Sequence, residues 1–137
     1  MRRRTALLIL TALIIAAAGL WAARTTTARP SVVLETTTVD FGPVAAPATK
    51  TVVVRNVGRA PLRVLGISTS CGCTTATIES TLMEPGSAAR LTIIFDPVAH
   101  GPTPGPARHA VYLRTDDPRI PEAEVGVRAV VVKKAAQ

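Results

Sequence analysis

From Ser31 onward, apolar residues come in short β-branched runs that alternate with polar ones and are cut by proline and glycine. Leu91, Ile93 and Phe95 alternate with Thr92 and Ile94, and Val125, Val127, Ala129 and Val131 keep a strict period of two. Successive side chains of an extended chain point to opposite faces, so both runs predict strands with one buried face. Further strands are expected at Ser31–Leu34, Val39–Val44, Lys50–Arg55, Leu62–Ile67 and Ala110–Arg114, with a short strand or irregular crossing at Ala76–Ile78. Asn56–Pro61, Glu84–Gly86 and Thr115–Pro118 carry turn chemistry. Asp96–Pro106 holds four prolines and reads as an exposed loop. The pattern predicts an all-β antiparallel sandwich of about seven strands over residues 31–134, with no amphipathic helix after the N-terminal segment. Its expected core is Val52, Val54, Leu62, Val64, Leu91, Ile93, Phe95, Val111 or Tyr112, and Val125 to Val131.

The N-terminus breaks this pattern. Arg2-Arg3-Arg4 precedes an uncharged apolar stretch, Thr5 to Ala23, of 19 residues. As a helix it would reach roughly 28 Å, close to the hydrocarbon thickness of a bilayer. Residues 1–24 therefore read either as a signal-anchor helix, in the membrane through residues 5–23, or as a signal peptide cut after Ala16-Ala17-Ala18. The arginines stay in the cytoplasm, which expects the domain outside it in the cell envelope: on a single-pass anchor, or periplasmic or secreted if the leader is cleaved. Residues 25–30 form a short polar linker.

Composition changes the picture once. The formal charge of +7 suggests nucleic acid, yet five of the 16 basic residues lie before residue 31. The remaining 11 basic residues face 9 acidic ones and are scattered. A phosphate-binding surface needs a concentrated basic face, with aromatic platforms for single strands, so nucleic acid is excluded as a partner.

Candidate chemistry centres on Ser70-Cys71-Gly72-Cys73-Thr74, which holds the only two cysteines. In an extended strand Cys71 and Cys73 would share a face, with Cβ atoms too far apart for a disulfide unless the chain bends at Gly72. Three alternatives stand: a structural pair, half-buried as thiols or joined in a strained disulfide; a Cu or Zn site completed by His100 and His109; and a redox pair exchanging with a partner thiol. The sequence spacing does not show the histidines converging on the cysteines. There is no Gly-x-Ser-x-Gly elbow, phosphate loop or His-Glu-x-x-His, and Asp116-Asp117 before Pro118 reads as a turn, so no catalytic residue is assigned.

Several pieces resemble one known family when taken in order. They are Val39-Asp40-Phe41-Gly42-Pro43-Val44, Arg55-Asn56-Val57-Gly58 with Pro61-Leu62, Ser70-Cys71-Gly72-Cys73-Thr74, Glu84-Pro85-Gly86, Phe95-Asp96 and Thr115-Asp116-Asp117-Pro118. Together they look like the bacterial family catalogued as domain of unknown function 1573, related to immunoglobulin-like modules of the hydin, sperm-protein and PapD type. The likeness spans roughly residues 35–132, and the cysteine motif is its specific element. It implies an exported immunoglobulin-like domain with no established chemistry; no cofactor is expected on the first reading below, and Cu or Zn on the alternative. The first expectation is an interaction or structural module that docks an unknown protein of the cell envelope. The alternative is a small metal-binding (Cu or Zn) or thiol-redox protein acting through Cys71 and Cys73.

Overall fold

The computed structural model describes residues 27–101 and 103–133. The expected helix and membrane contact through residues 5–23 lie outside the described residues. Among those described, no helix is long and apolar enough to cross a membrane. Nine strands are present: β1 (Val32–Leu34), β2 (Thr38–Val44), β3 (Ala48–Asn56), β4 (Leu62–Thr69), β5 (Thr74–Ile78), β6 (Leu82–Met83), β7 (Ala88–Phe95), β8 (Gly105–Thr115) and β9 (Glu122–Val131). They form two sheets, ordered β1-β3-β7-β5 and β2-β9-β8-β4-β6.

The period-two runs drive this arrangement. Leu91, Ile93 and Phe95 on β7 and Val125, Val127, Ala129 and Val131 on β9 are all buried between the sheets. Each large side chain so buried contributes roughly 1.5–3 kcal/mol. Val111 takes the inward position and Tyr112 stays half-buried, because Val111 shares its strand face with Ala107, Leu113 and Thr115.

The sandwich departs from expectation in four places. There are nine strands rather than about seven, β6 being a two-residue strand on the edge beside β4. The sheets are not wholly antiparallel, since β2 runs parallel to β9. The first segment pairs β1 with β3 in one sheet and then crosses to the other at Glu35–Thr37. The proline-rich stretch is not all loop: Pro97–His100 forms a single helical turn, α1, and β8 starts at Gly105. Proline is tolerated at Pro106 because the β4 ladder reaches no farther along β8 than Val111, leaving one side of the strand open.

The two ends of the sandwich differ. At the near pole the chain enters through residues 27–31 beside Asn56–Pro61 and Thr115–Pro121. At the far pole lie the Ser70–Cys73 turn, α1 and the start of β8. The length of β7 separates them, roughly 23 Å at 3.3 Å per residue.

Candidate metal centre

Cys71 and Cys73 sit in the tight turn between β4 and β5, not on a strand, and this corrects the extended geometry expected for them. Thr74 donates its N–H to the Cys71 carbonyl at 3.2 Å, closing the turn. The bend brings the two Cα atoms to 5.2 Å, and the cysteines are joined as a disulfide. Cα separations of about 4.4–6.8 Å are usual for a disulfide, so the turn supplies the approach that an extended pair lacks.

Backbone and side-chain ties fix the turn to its neighbours. The Thr69 hydroxyl donates to the Cys71 carbonyl at 3.0 Å. Ser70 Oγ accepts from the Ala110 N–H at 2.9 Å, and the Ser70 N–H donates to the Ala110 carbonyl at 3.0 Å. Asp96 donates its N–H to the Cys73 carbonyl at 2.8 Å. The turn is thus pinned both to β8, beside His109, and to the residue that starts α1.

Asp96 also places His100. Its carboxylate accepts from the N–H groups of Val98 and Ala99 at 2.8 and 3.4 Å, capping a turn whose first residue is Pro97. Its carbonyl accepts the His100 N–H at 3.1 Å. His109 arrives from the other sheet, on the face of β8 that carries Ala107, Val111 and Leu113, and so points into the mouth of the sandwich.

The four residues converge. One ligand atom from each of Cys71, Cys73, His100 and His109 lies within 4.8 Å of every other. His109 Nε2 stands 3.2 Å from His100 Nδ1, and Cys73 Sγ stands 3.8 Å from the same nitrogen. Zn–N bonds of about 2.0–2.1 Å and Zn–S bonds of about 2.3 Å give tetrahedral edges of roughly 3.3–3.8 Å, so both separations are of the right size. Cys73 is buried and the other three residues are half-buried.

The surroundings favour ligation. Burial, and then the charge of neighbouring His100, hold His109 below the ordinary imidazole range, which keeps it in the neutral form that binds metals. The Cys73 N–H donates to Cys71 Sγ at 3.1 Å, a bond that stabilises a thiolate once one forms. Phe95 makes the floor, with its ring centroid 5.9 Å from His100 and 6.0 Å from His109, and Phe41 packs behind it at 6.0 Å. From sequence Phe95 reads only as a core residue. Period-two placement of Phe95 opposite the inward face of β8 was the signal for its second role.

Asp116 and Asp117 do not join the site. They lie at the near pole, where Asp116 accepts the Arg63 N–H at 2.8 Å and Asp117 accepts the Val32 N–H at 2.8 Å.

Comparison with known proteins adds the fold's relatives. No curated protein matches the sequence. A crystal structure of a protein of unknown function from Porphyromonas gingivalis W83 is similar, with a TM-score of 0.69 and 26% identity over 79% of this chain and 50% of that one. This chain therefore spans about half the length of that protein. The seventh PapD-like (ASH) domain of human CEP192 matches with a TM-score of 0.62, at 9% identity over 78% of this chain and 89% of that one. Part of the Vibrio cholerae VesB protease matches with a TM-score of 0.55, at 10% identity over 81% of this chain and 33% of that one. These last two establish the fold alone, an immunoglobulin-like sandwich of the PapD type. The sequence itself matches a family model over residues 32–122, and the chain belongs to that family, the protein of unknown function DUF1573.

Proposed function

We propose that this immunoglobulin-like domain is exported to the cell envelope, held at or released from the membrane by residues 5–23, and binds one soft metal ion at its far pole. Cys71, Cys73, His100 and His109 are the ligands. The observation that carries this reading is the convergence of all four ligand atoms within 4.8 Å from three separate segments.

Two thiolates and two neutral imidazoles suit a tetrahedral ion with no geometric preference of its own, Zn(II) or Cu(I). Charge favours zinc. Two thiolates cancel the two positive charges of Zn(II), whereas Cu(I) leaves a net negative charge in a half-buried pocket, where an uncompensated charge is costly. Ligand deprotonation releases protons, so binding strengthens as pH rises.

The test is titration of the fully reduced chain with Zn(II), and with Co(II) as a spectroscopic stand-in. One ion per chain is expected, with thiolate-to-Co(II) charge-transfer bands and tetrahedral d–d bands, both lost in Cys71→Ser with Cys73→Ser and weakened in His109→Ala. Stoichiometric binding that survives removal of both sulfurs would place the metal elsewhere and end this reading.

A docking role is favoured by a separate observation. β5 is the edge of its sheet, and the groove between it and β4 is lined by Leu65, Ile67, Ala76 and Ile78. Such an edge presents unpaired backbone groups to an incoming strand. Crosslinking from a photoreactive group at Thr77 in intact envelopes tests it; no crosslinked protein there would remove the docking role.

A further inference from the structure

We propose that metal binding at this site is gated by thiol–disulfide exchange, with Cys71 as the sulfur that an incoming dithiol attacks and Cys73 as the leaving thiolate. The inference rests on the metal-binding reading above and adds its regulation. The two sulfurs have mutually exclusive uses. Joined to each other they carry no thiolate charge, and a site left with two imidazoles holds zinc weakly. Separated, they complete the tetrahedral set.

The surroundings of the two sulfurs are unequal. Cys73 is 2% exposed, while Cys71 is half-buried. A nucleophile from solvent therefore reaches Cys71 first. Both sulfurs have polar neighbours, the Cys73 N–H at 3.1 Å from Cys71 Sγ, and His100 Nδ1 at 3.8 Å and Thr74 Oγ1 at 3.9 Å from Cys73 Sγ, so the difference in exposure sets the order.

The steps balance with a dithiol as the reductant. One thiolate of the dithiol attacks Cys71 Sγ, forming a mixed disulfide. The Cys71–Cys73 bond breaks and its electron pair leaves on Cys73. The second thiolate of the dithiol then attacks the dithiol's first sulfur, breaking its bond to Cys71 and expelling Cys71 as a thiolate. The reductant departs as a cyclic disulfide, two electrons have reached the protein, and Zn(II) takes up both thiolates while the two protons of the dithiol pass to solvent. In reverse, a bound ion ties up both sulfurs and protects them from oxidation.

The experiment compares the full chain in its disulfide and dithiol forms, titrated with Zn(II) under anaerobic conditions. The dithiol form should bind one Zn(II) at least 100-fold more tightly than the disulfide form. Equal affinity in the two forms overturns the gate and leaves the metal site standing. Binding by neither form removes the metal site itself and the gate with it. The order of attack is read separately: the disulfide form is treated with reduced glutathione, quenched in acid, and the mixed disulfide is mapped by mass spectrometry. Glutathione should be found on Cys71, with at least tenfold less on Cys73. Equal adducts, or an excess on Cys73, overturn the assignment of Cys71 as the attacked sulfur.

Discussion

The two poles of the sandwich both bury polar side chains, and they do so for opposite ends. At the near pole Asn56 is fully buried, and each of its four hydrogen bonds goes to backbone: Oδ1 accepts from Ser31 and Gly58, and Nδ2 donates to the carbonyls of Ala60 and Met83. Asp117, 1% exposed, likewise accepts the N–H groups of Val32 and Arg119. Backbone partners are fixed by the fold, so these residues have nothing to release. At the far pole the side-chain atoms of His100, His109 and Cys73 face one another, and none of the contacts among them needs the backbone. Groups satisfied by each other can exchange partners. Buried side chains tied to backbone thus serve rigidity at one pole, and mostly half-buried side chains facing one another leave room for reactivity at the other.

The sharpest break of this comparison is Asn56→Ala, which strands two donors and two acceptors in the interior. A loss of about 3 kcal/mol is expected in urea unfolding. A loss below about 1 kcal/mol would mean that water replaces the side chain and that the pole is less rigid than described. Gly58→Ala comes next, since its Cβ would run into the backbone of Arg29, Pro30 and Ser31, which cannot retreat as a flexible side chain could. Overpacking of this kind costs about 1–3 kcal/mol, read from the same unfolding curves.

At the far pole, Cys71→Ser with Cys73→Ser removes a crosslink that closes a very short loop. Stability should fall by only about 1–2 kcal/mol, while zinc binding disappears. A larger fall would make the pair structural.

The smallest effect is a pH dependence. Burial works to raise the Asp117 pKa, but the N–H bonds from Arg119, Val32 and Ile120 and the Arg119 charge outweigh it, and the net shift is below the ordinary value of 3.8. A carboxyl with a lowered folded pKa contributes stability that is fully present above its unfolded value. That contribution is lost as pH falls from about 4 through the folded pKa. Thermal melts of Asp117→Asn should therefore lie below those of the parent at neutral pH and converge with them in acid; parallel curves would deny Asp117 this role.

The sandwich was legible because β7 and β9 alternate without interruption, and the inward set they define is the observed core. The shorter features were hidden by competing signals. Four prolines between Asp96 and Pro106 argued for loop, yet Asp96-Pro97 is also an N-cap followed by proline at the first helical position, the start of α1. Asn56 read as the first residue of a turn, but it ends β3 as a buried bracket. His109 shares the parity of Val111 and Leu113, which marks it as inward-facing once β8 is extended back to Gly105. The convergence of Cys73 with His100, 27 residues away, was not in the spacing at all. It depends on the β5–β7 register, which sets Thr74 opposite Phe95, and on the Asp96 cap that follows.

The parallel pairing of β2 with β9 also has a mechanical meaning. Residue 27 lies at one pole and residue 133 at the other, so tension between them pulls these neighbouring strands lengthwise past each other. Their ladder runs from Thr38 opposite Gly126 to Val44 opposite Val131 with a register shift between Asp40 and Pro43, so each of its two segments would have to yield in shear rather than unzip one rung at a time. Lengthwise loading of this kind spreads a pull over several hydrogen bonds at once, which is how a small sandwich resists being drawn out.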